Sequence, residues 1–168
     1  MSTIDKINKL SRSEFVEVFA NIFEKTKWIA EKLYNQKPFD SFEDLCSKML
    51  GIFKTASKEA QLKILKAHPD LADKATVNSF TINSLTEQSN AGLDQCSEEE
   101  FNEFKNLNKA YKQKYGFPFI IAVKGKNKIE ILGDFKKRIV NSVDEEFNEA
   151  IMQVGKIANL RLNEMHIK

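Results

Sequence analysis

Four segments of this chain begin with a serine that is followed three residues later by a carboxylic acid, and this recurring feature constrains the fold most. The segments are Ser11–Glu14, Ser41–Asp44, Ser97–Glu100 and Ser142–Glu145. In such a capping box the serine hydroxyl accepts a hydrogen bond from the first turn of a helix, and the acid side chain accepts one from the backbone N–H of the serine. Apolar residues at helical spacing follow each box. The sequence therefore predicts an all-α fold.

Apolar periodicity extends this prediction along the chain. Spacings of three and four predict one amphipathic helix whose face consists of Phe15, Val18, Phe19, Ile22, Phe23, Ile29 and Leu33. A second helix should run from Glu98 to Tyr115 and end at Gly116, and a last one should run roughly from Asp144 to Met165. There is no internal repeat or linker. Six glycines and three prolines in 168 residues leave few breaks, so residues 1–168 are expected to form a single domain.

The segment Phe117–Val123 departs from the helical pattern. It is continuously apolar, rich in β-branched residues and followed by glycine at position 125. No second run of this kind exists to pair with it, so we expect an extended segment among helices rather than a strand. Its backbone N–H and C=O groups then need partners, and a bound ligand is one possible source. The alternative is an ordinary buried connection or the start of the next helix.

His68 is the first candidate for proton chemistry. The chain has only one other histidine, His166 near the C-terminal end, and imidazole is the side chain whose charge ordinarily changes near neutral pH. The run from Lys58 to Ala67 reads as a helix, and Pro69 disfavours helical geometry for the residue before it. His68 should therefore lie at a helix end, where local carbonyls favour its charged form. A purely structural cap is the alternative interpretation.

Two further features accompany His68. Ser84 and Glu87 have the spacing of a capping box, which predicts a helix start, and a carboxylate at such a position can also exchange protons. Arg161 lies in register with Val154 and Ala158 of the last helix, so its guanidinium is expected on or beside an apolar stripe. It then either pairs with a carboxylate of the protein or holds a planar group of a ligand.

Composition excludes several other classes of protein. A net charge of +2 without a basic block argues against nucleic acid as a partner. Cys46 and Cys96 are far apart and form no C-x-x-C pair, so we expect reduced thiols and neither a disulfide framework nor a metal site. No apolar run approaches the ~20 residues that span a bilayer, and neither a signal-peptide core nor a C-terminal S-K-L occurs. The expectation is a cytoplasmic protein without a membrane partner.

Four motifs in a fixed order resemble the OHCU decarboxylase family. They are Ala67–Ala72 (A-H-P-D-L-A), Ser84–Asp94 (S-L-T-E-Q-S-x-A-G-L-D), Leu107–Gly125 (L-N-x-A-Y-x-x-K-Y-G-F-P-F-I-I-A-V-K-G) and Ile157–Leu162 (I-A-x-L-R-L). The resemblance covers nearly the whole chain. It implies an all-α, typically homodimeric carboxy-lyase that converts 2-oxo-4-hydroxy-4-carboxy-5-ureidoimidazoline to (S)-allantoin on the route from urate, without cofactor or metal.

The resemblance also implies which residues do the work. His68 matches the catalytic acid, and Glu87 would orient the substrate and tune His68. Gln88 and the backbone of residues 119–123 would bind the amides of the substrate ring, while Arg161 would hold a carbonyl or carboxylate oxygen. The positions implied to contact substrate are Pro69, Ser84, Leu85, Thr86, Glu87, Gln88, Phe119, Ile120, Ile121, Ala122, Val123 and Arg161.

Two other functions remain open on the sequence alone. A non-catalytic helical binding module could have the same fold, although loss of His68 or Glu87 would then be expected and both are present. A hydrolase acting on a related ureide would use His68 as a base. No serine or cysteine is visibly placed to serve as its nucleophile.

Overall fold

Helices account for the regular structure in the part of the chain that the structure describes. The computed structural model describes residues 2–72 and 82–165, so His166 lies outside it. Its helices are α1 (Thr3–Lys9), α2 (Arg12–Phe19), α3 (Lys27–Tyr34), α4 (Phe42–Lys54), α5 (Lys58–Lys66), α6 (Ile82–Asn90), α7 (Glu98–Tyr115), α8 (Lys128–Arg138) and α9 (Val143–Asn163). No β-strand occurs within these two ranges, and the predicted all-α class is confirmed. None of the described helices is long and apolar enough to cross a membrane.

The chain divides into two compact units. Residues up to Ile64, together with those from Gly155 onward, form the first unit, and Leu65–Val154 form the second. Aromatic rings fill both cores. In the first unit the ring of Phe15 contacts that of Phe19, and Phe23 contacts Phe53. The single domain expected from the sequence stays a prediction.

The capping serines predicted from the sequence start four helices. Ser11 and Ser97 form complete capping boxes. The serine hydroxyl accepts a hydrogen bond from the backbone of the first helical turn, and the glutamate side chain accepts one from the backbone N–H of the serine. The hydroxyl of Ser41 accepts a hydrogen bond from the N–H of Asp44 at 3.0 Å. Ser142 does the same for α9, at 3.2 Å. These local predictions are confirmed because each motif satisfies backbone donors that a helix start leaves unpaired.

The predicted helix through Phe15 and Leu33 is wrong in one respect, since it is two helices. α2 ends at Phe19 and α3 begins at Lys27, with Ile22 and Phe23 buried from the turn between them. Lys25 has a φ of 51°, which a helix does not allow. The turn is fixed by buried polar groups, among them the hydroxyl of Thr26, which donates to the carbonyl of Glu24 at 2.8 Å. The prediction joined the two helices because Ile22 and Phe23, which lie in the turn, have the same spacing as the apolar residues of a helix.

The apolar segment of residues 117–123 is neither helix nor strand, as predicted. It follows α7, which ends as predicted at Gly116 in the left-handed conformation. Every side chain of the segment is buried except that of Ala122, which is half-buried. A ring stack between Phe119 and Phe135 of α8, with centroids 3.9 Å apart, fixes its middle against the second unit's core.

Substitutions of two glycines test the end of α7 and the interior of α8. Gly116 has a φ of 82°, so Gly116→Ala should lower the free energy of unfolding by about 1 kcal/mol, the cost of a Cβ in left-handed backbone. Gly133 is exposed inside α8, and a Cβ there meets nothing within 4 Å. Gly133→Ala should therefore raise the same quantity by about 0.5–1 kcal/mol. Urea unfolding followed by circular dichroism measures both, and equal stabilities of the two variants would contradict the prediction.

Candidate active site

His68 lies at the end of α5, as predicted. The helix ends at Lys66, and the backbone N–H of His68 donates to the carbonyl of Leu65 at 3.2 Å. The residue is 9% exposed, which leaves it buried next to Pro69. A buried imidazole beside the carbonyl end of a helix has two opposing influences on its charge, since burial disfavours the cation and the helix end favours it. The balance of these two influences decides whether an imidazole at such a position carries the second proton.

Gln88 of α6 holds the backbone that follows His68. Its side-chain oxygen accepts from the N–H of Ala72 at 3.0 Å, and its Nε2 donates to the carbonyl of Asp70 at 3.2 Å. Ala72 has a φ of 57°, which is uncommon for a residue with a side chain. The two hydrogen bonds from one buried amide therefore maintain an unusual turn just past His68 and Pro69.

α6 sorts the predicted site residues onto two faces. Ser84 and Gln88, four residues apart, are both buried, and Glu87 is half-buried. Leu85 and Thr86 point to the exposed side, with Leu85 38% exposed. The helix begins at Ile82, so Ser84 lies in its first turn and the prediction that Ser84 caps its start is wrong. The S-x-x-E spacing does not mark a helix start here. Residues three apart are also neighbours on one face within a helix, so the spacing alone does not distinguish the two cases.

α7 supports the same turn from a second direction. The Nδ2 of Asn108, which is 6% exposed, donates to the carbonyl of Leu71 at 3.0 Å. One turn further along, the Nζ of Lys112 lies 2.7 Å from a carboxylate oxygen of Asp70. Residues 70–72 are thus held by side chains from both α6 and α7, and this fixes the direction in which the chain leaves His68.

The segment Phe119–Val123 is held by polar side chains of α8 and α9. Arg138 donates from Nη1 to the carbonyl of Ile120 at 2.6 Å, and its guanidinium carbon lies 4.4 Å from the ring centre of Phe119. The N–H of Ala122 donates to Oε1 of Gln153 at 2.9 Å. Two backbone groups of the predicted substrate-binding stretch are therefore satisfied by the protein itself.

A buried ion pair lies behind this segment. Glu146 is 0% exposed, and its Oε1 accepts from Nε of Arg138 at 2.6 Å and from the hydroxyl of Tyr111 at 2.8 Å. The Nδ2 of Asn141 donates to the other oxygen at 3.0 Å. Burial and, after it, the hydrogen bond to Glu146 raise the pKa of Tyr111, so the phenol stays a neutral donor. The carboxylate charge is met by one cation and two neutral donors.

Arg161 belongs to the first unit and forms the structural ion pair that the sequence left open. Its Nη2 lies 3.0 Å from Oε2 of Glu24, and both side chains are almost fully buried. Its Nη1 donates to the carbonyl of Asn21 at 3.0 Å. The guanidinium therefore braces the turn between α2 and α3. Contact between Arg161 and a substrate stays a prediction.

Sequence reasoning missed the buried polar residues that hold these segments. They are Glu24, Asn108, Tyr111 (seen only as an apolar position), Arg138, Glu146 and Gln153. A signal was present in the register of the helices. Arg138 follows the buried Ile131 and Phe135 at helical spacing, so it had to lie on the inner face of α8. Its partner could not be read from that register.

The comparisons with known proteins cover nearly the whole chain. The family model described as OHCU decarboxylase matches residues 8–163. A uric acid degradation bifunctional protein of Bacillus sp. (strain TB-90) is 39% identical over 165 residues, which are 98% of this chain and 32% of the relative. The chain thus spans about a third of that bifunctional protein's length. The 2-oxo-4-hydroxy-4-carboxy-5-ureidoimidazoline decarboxylase of Haloferax volcanii is 38% identical over 162 residues, which are 96% of this chain and 95% of the relative.

A solved structure agrees with these sequence matches. A crystal structure of OHCU decarboxylase in the presence of (S)-allantoin superposes with a TM-score of 0.68 at 25% identity, over 82% of this chain and 89% of that one. The Haloferax volcanii relative and the solved structure are named as decarboxylases, which are enzymes that break a carbon–carbon bond. The chain belongs to the OHCU decarboxylase family.

The Arg161–Glu24 pair yields a stability prediction. Glu24→Gln removes the charge that balances a buried guanidinium, and the free energy of unfolding should fall by about 3–5 kcal/mol. Glu31→Gln is the matched control in α3, since Glu31 pairs with Lys27 at 3.9 Å with both side chains substantially exposed. That change should alter stability by less than about 1 kcal/mol. Thermal and urea unfolding measure both variants. A Glu24→Gln protein as stable as Glu31→Gln would remove the structural role of the pair.

Proposed function

We propose that this protein decarboxylates 2-oxo-4-hydroxy-4-carboxy-5-ureidoimidazoline to (S)-allantoin in the degradation of urate. Family membership over residues 8–163 supports the reaction class. One structural observation carries the proposal. The chain after His68 and the segment Phe119–Val123 are both held by one face of α7, through Asn108 to Leu71 and through the ring of Tyr111 against Phe119, with centroids 5.5 Å apart.

The reaction asks little of the protein beyond positioning and one proton. The bond between the ring carbon and its carboxylate breaks, CO₂ leaves, and the electron pair moves into the adjacent ring C=N. A proton then adds from one face to the ring carbon that bears the ureido group. The nitrogen of the former C=N also gains a proton and the hydroxyl proton is lost as the carbonyl forms, so the net uptake is one proton. Because the ring itself accepts the electrons, the reaction requires no external electron sink. The protein holds the carboxylate where it can leave and supplies the proton stereoselectively.

His68 is the proposed proton donor. Its position at the end of α5 favours the imidazolium that this role requires, although burial opposes that charge. Glu87 would orient the ureido or hydroxyl group and tune His68. These roles rest on the family resemblance and on the location of both residues in the second unit.

The remaining contacts to substrate are proposed from the same resemblance. Gln88 and the backbone of residues 119–123 would bind the ring amides, and Arg161 would hold a carbonyl or carboxylate oxygen. Pro69, Ser84, Leu85 and Thr86 would complete the site. The backbone contacts have the clearest support, because no hydrogen bond from the described part of the chain engages the N–H or C=O of Ile121.

We also propose that the enzyme is a cytoplasmic homodimer. Dimers are typical of the family that the sequence resembles. Cys46 and Cys96 form no disulfide with each other, which suits a reducing compartment. Sedimentation equilibrium of the purified protein tests the dimer, and a monomer at micromolar concentration would contradict it.

The activity is tested in a coupled assay. Urate is oxidised by urate oxidase and hydrolysed by hydroxyisourate hydrolase, this protein is added, and circular dichroism follows optically active allantoin. Spontaneous decay gives a racemate, so a persistent signal identifies the decarboxylase. His68→Asn should lower the rate by about 10²–10⁴-fold, the usual contribution of a general acid, with an unchanged melting temperature.

His166→Asn is the matched control for this assay, because it makes the same chemical change at the only other histidine and should leave the rate unaltered. Wild-type protein that produces only racemic allantoin would contradict the proposed function and favour a binding module with the same fold. A normal rate in His68→Asn would remove His68 as proton donor.

Dialysis against EDTA tests whether the reaction proceeds without metal. We expect full activity afterwards, because the substrate ring accepts the electrons of the broken bond. Loss of activity that a divalent cation restores would contradict this mechanism.

A further inference from the structure

Two buried side chains form hydrogen bonds with alternate residues of the segment Phe119–Val123. Arg138 binds the carbonyl of Ile120 at 2.6 Å, and Gln153 binds the N–H of Ala122 at 2.9 Å. Resting on the proposed function, we propose that Arg138 and Gln153 are positioning residues that align the backbone of Ile121 for contact with the substrate. Neither residue was among the site residues predicted from the sequence.

Both hydrogen bonds are formed on the same side of the segment. Arg138 is paired with Glu146, and Gln153 lies seven residues after Glu146 on α9. Residues seven apart share a helix face, so the carbonyl of Ile120 and the N–H of Ala122 are both directed toward that face of α9. Hydrogen bonds to alternate residues on one side fit an extended chain, in which the backbone groups of successive residues point in opposite directions. The N–H and C=O of Ile121 therefore point away from α9.

Ile121 then presents one donor and one acceptor side by side, on the side of the segment away from α9. No hydrogen bond within residues 2–72 and 82–165 engages either group. A donor next to an acceptor complements the edge of a cyclic amide, which presents the reverse pair. Substitution of the Ile121 side chain cannot remove such a backbone contact. Loss of the hydrogen bond from Arg138 or Gln153 can, because it lets the backbone shift.

The hydrogen-bonding partners of Gln153 determine its orientation. Its Nε2 donates to Oε1 of Glu149 at 2.9 Å, and a carboxylate can only accept. The amide nitrogen must therefore face Glu149, which turns the amide oxygen toward the N–H of Ala122. Gln153 is 7% exposed, so the hydrogen bond to Ala122 is shielded from exchange with water. The arrangement is specific to a glutamine or to another acceptor at this position.

Removal of the acceptor tests the proposal. Gln153→Leu keeps a similar volume but leaves Ala122 without its partner. In the coupled assay its KM should rise about tenfold while kcat stays within about twofold, because a misplaced backbone contact weakens binding and leaves proton donation by His68 intact. Gln113→Leu is the matched control on the exposed surface of α7 and should leave both constants unchanged.

A double variant separates positioning from packing. Exchange of the two residues, Glu149→Gln with Gln153→Glu, restores an acceptor for Ala122 and a donor for the new carboxylate, so KM should return to within about threefold of wild type. Arg138→Lys keeps the charge opposite Glu146 but lacks the fork that reaches both Glu146 and Ile120, and its KM should rise as well. The lysine variant provides the test if Gln153→Leu does not fold.

The outcomes distinguish this inference from the proposed function. Wild-type protein without turnover overturns the proposed function and this inference with it. Active wild-type protein, together with Gln153→Leu and Arg138→Lys variants that melt at lower temperature but keep the wild-type KM, overturns the positioning role alone. A raised KM that the exchanged pair does not restore would assign the effect of Gln153 to packing.

Discussion

The buried ion pair between Arg138 and Glu146 is the interaction on which the rest of the second unit depends. A non-helical segment inside a helical protein has backbone groups that no helix satisfies, and leaving them unpaired in the core costs free energy. Arg138 meets this need at Ile120, but its own charge must be balanced where water is scarce. Glu146 balances it, and Tyr111 and Asn141 complete the hydrogen bonds of the carboxylate. Such a pair contributes geometry more than stability.

α7 links this ion pair to the turn after His68. Asn108 and Tyr111 lie three residues apart on one helix face, and one holds Leu71 while the other holds Glu146 and packs on Phe119. The proposed proton donor and the proposed ligand-binding backbone are therefore positioned by the same rigid element. A site that depends on short distances benefits from such common support, because displacement of the helix moves both parts together.

The sequence predicted those features that depend on neighbouring residues. The capping serines, the bounds of α7 and the helix end at His68 were confirmed, since each is decided within a few residues. The prediction failed where tertiary contacts competed with a local pattern. Ile22 and Phe23 have helical spacing, yet the turn that carries Glu24 to Arg161 separates α2 from α3. Ser84 has the spacing of a cap but lies inside α6.

The sequence by itself determined the all-α class, the starts of four helices at their capping serines, the non-helical character of residues 117–123 and the motifs that indicate the family. Only the tertiary structure decided which polar groups meet. Gln153 reaches Ala122 across 31 residues and Arg161 reaches Glu24 across 137. The physical reason is one of range. Caps and periodicity are satisfied within one or two turns of the chain, whereas the partner of a buried charge is whichever group the packed core brings to it.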